Sequence, residues 1–213
     1  MIKLNKKFEF EQDGKTYSLY NLPDGFVIKG DIDLEGKGLT ELPDLSKVTV
    51  EGYFWCGSNK LTSLKGAPRE VGGDFLCDKN QLTSLHGSPR EVGGRFMCHT
   101  NQLTTLQGAS QKIGGNFRCT HNYNLSSLFG LPNMPEKYGI SCDYKLREKY
   151  GCPVAEHGTI CYKDLIESSL YKSELSAYKI RQKNKEDKKN AQARFKAGYT
   201  AFKKQFAAKE REE

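Results

Sequence analysis

The chain has no apolar run approaching about 18 residues, which excludes a membrane-spanning helix within it. Its start, Met1-Ile-Lys-Leu-Asn-Lys-Lys-Phe8, lacks the apolar core of a signal segment, so the chain is expected to stay in a cytosol. No P-loop, no G-x-S-x-G elbow and no H-E-x-x-H helix occurs. Those absences remove the motif signals for nucleotide hydrolysis, α/β-hydrolase chemistry and zinc proteolysis. No cofactor and no catalytic residue is expected. Between Ser168 and Arg211 there is no proline and a single glycine, Gly198, so nothing there breaks a helix.

What is present is a repeat. Cys56, Cys77, Cys98 and Cys119 follow one another at intervals of 21 residues. Phe54, Phe75, Phe96 and Phe117 keep step, as do Asn59, Asn80, Asn101 and Asn122. So do the leucine pairs Leu61/Leu64, Leu82/Leu85 and Leu103/Leu106, with Leu125/Leu128 following one residue late after a small insertion near Tyr123. A fixed period of this length marks a solenoid, in which no turn closes a core alone and neighbours must stack. Alternation along a strand predicts Phe75 and Cys77 pointing inward, with Asp74, Leu76 and Asp78 pointing out. Each turn then buries its Phe, its Cys, two Leu and one of Val50, Val71, Val92 or Ile113. The Asn suits backbone groups that the bend leaves unpaired. Gly72-Gly73 and Gly93-Gly94 suit tight backbone before the strand. The odd count of seven cysteines does not argue for disulfides. Stacked strands hold ladder cysteines close together, and a reducing compartment keeps them as small hydrophobes.

One unit reads Phe75-x-Cys77-x-x-Asn80-x-Leu82-x-x-Leu85-x-Gly87-x-Pro89-x-x-Val92-Gly93-Gly94. It resembles the leucine-rich repeat, with Phe and Cys in place of the first two leucines and Asn where that repeat has it. The match is tight over residues 54–130. It extends weakly upstream through Ile32, Leu34, Leu39 and Leu42, and downstream to Ile140 and Cys142, about six turns in all. The length and the Val-Gly-Gly-x-Phe-x-Cys wording are similar to short bacterial repeats and to repeat proteins of tailed bacteriophages. The resemblance implies a leucine-rich-repeat solenoid with short parallel strands on a concave face and turns or extended segments, including Pro68, Pro89 and Pro132, on the convex side. It also implies a non-enzymatic protein-binding role. In a phage setting that role is a virion or accessory component, or an inhibitor that binds a host defence protein, located in virion or host cytoplasm. Bacterial effectors with similar repeats can carry a ubiquitin-ligase domain with a catalytic Cys. About 70 residues follow these repeats, too few for that domain.

Four regions are expected. Residues 1–30 read as a β-rich cap, because Asp13-Gly14 between Phe8-Glu9-Phe10 and Thr16-Tyr17-Ser18-Leu19-Tyr20 signals a hairpin. Residues 31–143 are the solenoid, and 144–167 a mixed helix-and-loop closing segment. Residues 168–213 are a basic amphipathic helical tail. From Tyr171 onward there are 13 Lys+Arg against 6 Asp+Glu, so the tail carries the whole net charge of +7 and the first 170 residues are neutral.

Three candidate sites follow. On the concave face the middle row is Asp33, Trp55, Leu76, Met97, Arg118 and Ser141. It is flanked by Asp31, Tyr53, Asp74, Arg95 and Asn116 on one side and by Asp78, His99 and Thr120 on the other. Trp55, Leu76 and Met97 would form an apolar stripe, with charge running from acidic early turns to Arg95 and Arg118. Aromatic, Met and Arg side chains are the usual interface anchors. The partner-binding set is therefore Tyr53, Trp55, Asp74, Leu76, Arg95, Met97 and Arg118. Scattered exposed apolar residues are also common on ordinary surfaces, and a peptide, glycan or nucleic acid is an alternative ligand. In the tail, Phe195, Tyr199, Phe202 and Phe206 form a heptad-like seam, with Tyr171, Leu175 and Tyr178 a second seam upstream. The first set is expected to dock on the chain's own solenoid, on another copy or on a different protein. A basic face with aromatics also suits nucleic acid or an anionic membrane surface, but acidic residues interrupt the basic run. Finally, Cys142, Cys152, His157 and Cys161 are zinc-binding types whose spacing lacks the C-x₂₋₄-C pairs of a structural site. No metal is expected. His86, His99 and His121 fall at different places in their repeats.

Overall fold

The computed structural model describes residues 4–6, 8–150, 154–155 and 159–209, with backbone alone at 154–155, 178, 182, 188, 191 and 194–209. Residues Met1–Tyr171 form one compact unit and Lys172–Glu213 a second.

The first unit is a parallel β-solenoid. Five coils each contribute one short strand to each of two sheets. The strands of the first sheet are β4 (Ile32–Asp33), β6 (Phe54–Trp55), β8 (Phe75–Leu76), β10 (Phe96–Met97) and β12 (Phe117–Arg118), continued by β13 (Gly139–Ser141). All six pair in parallel, and Phe54, Phe75, Phe96 and Phe117 stand opposite one another. The second sheet consists of β3 (Val27–Ile28), β5 (Thr49–Val50), β7 (Glu70–Val71), β9 (Glu91–Val92) and β11 (Lys112–Ile113). The repeat pattern alone predicts strands on one side only. Each coil in fact pairs twice, because β-branched Val50, Val71, Val92 and Ile113 favour the extended pleat and stack in register. The Gly-Gly bend between the two strands stays in contact from coil to coil. A Cβ on Gly93 would lie 2.1 Å from the carbonyl oxygen of Gly72.

Between the sheets lies the apolar core. Phe54, Phe75, Phe96 and Phe117 are fully buried, as are Cys56, Cys77, Cys98, Cys119 and the leucine pairs. The phenyl rings stack at centroid distances of 5.9, 5.2 and 5.3 Å. Burying each large side chain contributes roughly 1.5–3 kcal/mol. The four ladder cysteines are free, and burial pushes each thiol well above its usual range, so they are inert spacers rather than nucleophiles.

The recurring Asn binds consecutive coils together. Asn80 Nδ2 lies 3.0 Å from the Cys56 carbonyl of the preceding coil, 3.2 Å from the Cys77 carbonyl and 3.1 Å from the Asp78 carbonyl of its own. Its Oδ1 accepts from Leu61 N–H at 3.0 Å. Asn101 and Asn122 repeat this pattern one and two coils later. The residue before each Asn (Ser58, Lys79, Thr100 and His121) is left-handed, with φ between 51° and 57°. That turn aims the amide inward.

Both ends are closed. At the start, β1 (Glu9–Gln12) and β2 (Lys15–Ser18) form the expected hairpin about Asp13-Gly14. The Gln12 side chain donates to Val27 carbonyl and accepts from Lys29 N–H, at 2.9 and 2.8 Å. It thereby satisfies the edge of β3, which would otherwise invite pairing. At the far end β13 pairs antiparallel with β15 (Thr159–Cys161), which pairs with β14 (Val154–Ala155). The reversal ends the parallel register. These two strands lie where the sequence reading expected helix and loop alone. Helix α1 (Tyr144–Tyr150) places the Tyr150 hydroxyl 2.9 Å from Leu128 N–H, and α2 (Tyr162–Glu167) follows β15. Helix α3 runs unbroken over Ser169–Lys209, 41 residues. None of the described helices is long and apolar enough to cross a membrane.

Candidate functional site

The outward side of the first sheet is built by period-two alternation in strands of two residues. Phe faces in and the next residue faces out, so Asp33, Trp55, Leu76, Met97 and Arg118 pair laterally, each with the next. Ser141 completes the row opposite Arg118. The row predicted from the repeat is thus present in the expected order. Trp55, Leu76 and Met97 are half-buried by their neighbours and Arg118 is exposed.

The flanks hold partners that the sequence did not reveal. Arg95 donates from Nε and Nη2 to Asp74 Oδ2 at 3.0 and 2.7 Å, while its backbone N–H donates to Asp74 Oδ1 at 2.7 Å. The two charges assigned separately to partner binding are therefore one ion pair bridging adjacent coils. The Arg95 side chain is 54% exposed, so the pair adds little stability. On the other flank His99 Nε2 lies 3.8 Å from Asp78 Oδ2, with side-chain exposures of 15% and 11%. Burial lowers the His99 pKa below its usual value, against the pull of Asp78. Tyr53 is half-buried, and burial, then Asp31 and Asp33, push its hydroxyl up. The stripe therefore has an apolar middle, the Asp74–Arg95 ion pair on one side, Asp78 beside His99 on the other, carboxylates at its first coil and Arg118 at its fifth.

Trp55 contains the one irregularity. Its Nε1 is shut from solvent and has no hydrogen-bond partner. The indole lies over Gly57, where a Cβ would stand 2.6 Å from Nε1 and 2.9 Å from Asp78 Oδ1. The absence of a side chain at 57 leaves room for the ring.

In the tail, the side chains of Phe195, Tyr199, Phe202 and Phe206 lie outside the described residues, and their backbone is helical. Upstream, Tyr171 is buried and packs edge-on against Tyr150 at 6.1 Å. Leu175 is half-buried and the Tyr178 side chain lies outside the described residues. Arg181, Lys183, Lys185 and Lys189 are exposed. Of the four residues of zinc-binding type, Cys152 and His157 lie outside the described residues, and Cys142 is a buried ladder residue. Among the described residues no group of three or more His, Cys, Asp or Glu is placed to hold a metal ion. A shallow groove of about 470 Å³ on the far side is lined by Arg69, Arg90, Gly87 and Gly108 among others. Glu70 pairs with Arg69 there and Glu91 with Arg90.

No family model, curated protein or solved structure matches the chain.

Proposed function

We propose that the chain is a non-enzymatic protein-binding module of the leucine-rich-repeat type. Its partner docks on the outward side of the first sheet, against Trp55, Leu76 and Met97. One observation carries this reading: three large apolar side chains face outward on consecutive coils in direct lateral register. The Asp74–Arg95 and Asp78–His99 pairs flank them. An apolar centre with a polar rim is the anatomy of protein interfaces.

The test is affinity capture from the native host with the chain and with its Trp55→Ala, Leu76→Ala, Met97→Ala triple variant. Hot-spot truncations cost about 2 kcal/mol or more each, so the triple variant is expected to lose its partner; its half-buried sites also cost stability, so capture is compared at a temperature where both proteins are folded by circular dichroism. Equal capture by both proteins would remove this face as the interface. Within this reading, the likeness of the repeats to those of tailed-bacteriophage proteins leaves two roles, a virion or accessory component and an inhibitor that binds a host factor. Stoichiometric copies in purified virions decide for the first.

A second reading rests on the exposed Arg181, Lys183, Lys185 and Lys189 of α3. It assigns the tail to nucleic acid. That binding would weaken steeply with salt, and a salt-titrated DNA and RNA assay on the full chain measures it.

A further inference from the structure

Building on the protein-binding face above, we propose that its occupant is an α-helix of a partner protein. It lies across the strands along the solenoid axis, N-terminus towards the first coil and C-terminus towards the fifth.

The spacing selects a helix. Adjacent strands lie about 4.8 Å apart, and the phenyl ladder beneath repeats at 5.2–5.9 Å. Trp55, Leu76 and Met97 therefore span two intervals of about 4.8 Å each. On a helix, residues i, i+3 and i+7 rise by about 4.5 and 10.5 Å, so one side chain falls opposite each of the three. An extended chain presents same-side residues every 6.6–6.8 Å or so and is out of step by the second interval. Nor does such a chain gain strand pairing, because the ladder bonds of β6, β8 and β10 are taken by their neighbours within the sheet.

The width agrees. Side chains two residues apart on a strand stand about 6.6 Å apart, so the flanking rows holding Asp74 and Asp78 bracket a lane about 13 Å wide. A helix with its side chains is about 10–12 Å across.

Charge sets the direction. The first coil presents Asp33 and Glu35, and neither forms an ion pair with a Lys or Arg among the described residues. Along the middle, Arg95 offsets Asp74. The fifth coil presents exposed Arg118. A helix carries partial positive charge at its N-terminus and partial negative charge at its C-terminus. The favourable polarity puts the N-terminus over Asp33 and Glu35. Lys or Arg in the partner's first turn and Asp or Glu in its last turn strengthen the match.

The test selects binders to the full chain from two displayed peptide libraries. One is an Ala-rich helix of about 16 residues, long enough to span the five coils, with one face randomised. The other is a proline-flanked extended peptide of similar reach. The chain has a single tryptophan, so a change in emission reports occupancy beside Trp55 with no substitution in the protein. The expected result is helical binders with apolar residues at i, i+3 or i+4, and i+7. They change Trp55 emission and carry cations early and acids late. They lose about tenfold or more in affinity against Leu76→Ala or Met97→Ala, and similarly against Arg118→Glu. Face-dependent binders from the extended library alone, or helices with the reverse charge order, would overturn the helix assignment and leave the face standing. If neither library yields binders that change Trp55 emission, the helix and the protein-binding face fall together.

Discussion

At the scale of single residues, the solenoid is held by positions whose side chains replace missing backbone partners. Asn80 supplies a donor to two coils and an acceptor to a third backbone group. The period of Asn was evident in the sequence, and so was the need for such a residue. The left-handed turn before it was not, because Ser58, Lys79, Thr100 and His121 share no feature and none is glycine. Ser110 is the exception to another ladder. It occupies the register of buried Pro68 and Pro89, its hydroxyl is buried without a partner, and its N–H makes no backbone hydrogen bond among the described residues. Ser110→Pro is expected to raise stability by about 0.5–1 kcal/mol through the unfolded chain, read as a higher urea midpoint with unchanged slope. His99 faces Asp78 at its side, with Arg118, Lys79 and His121 nearby. Its pKa lies below the ordinary 6.5, so the unfolded chain binds its proton first. Stability from this group is flat above about 6.5 and falls as pH drops from there through the folded value. Urea midpoints between about pH 7.5 and about pH 5 should show the fall, and His99→Gln should flatten it. An unchanged slope in the variant would assign the fall to other groups.

At the scale of elements, a strand of two residues cannot stand alone, and each is set by what lies beneath and beside it. Phe-x-Cys was readable as a strand because its alternation repeats four times. The second sheet was not. A lone Val before Gly-Gly has no alternation to detect, and it becomes a strand only when Val50, Val71 and Val92 stack. The closing strands were invisible for a related reason: β15 takes its register from β13, which is distant in sequence, and the two-residue β14 that pairs with β15 is too short to show any alternation. The apolar stripe was legible down to its order. The Asp74–Arg95 pair was not, because it joins separate coils and the sequence shows only two charges. Turns are the most exacting elements. Gly87 has φ 93°, and a Cβ there would lie 2.7 Å from the Leu64 carbonyl carbon. Gly87→Ala combines left-handed strain with a backbone clash. It is expected to cost more than about 2 kcal/mol, measured by thermal melting against Gly14→Ala, where φ is also positive but nothing lies within 4 Å.

At the scale of the whole molecule, each coil touches only its neighbours, so stability is a sum of coil and interface terms. A fault in the middle therefore spreads outward. Cys77→Asp places an uncompensated charge in a fully buried ladder position. It should remove amide-exchange protection across residues 54–119 before it affects the Asp13-Gly14 hairpin. A protected middle in that variant would contradict the inward placement of Cys77. The same nearest-neighbour design bears on inheritance. Every coil from the second to the fifth reaches back to its predecessor with the same Asn amide, and Phe faces Phe from the second coil to the fifth. An in-frame duplication of one 21-residue unit would meet a site already shaped for it, and the closing strands would ride outward unchanged. Length in this lineage can thus be altered by a single unequal crossover, with each added copy free to diverge at its outward residues. The outward face of the first sheet can grow by gene duplication at the scale of a side chain.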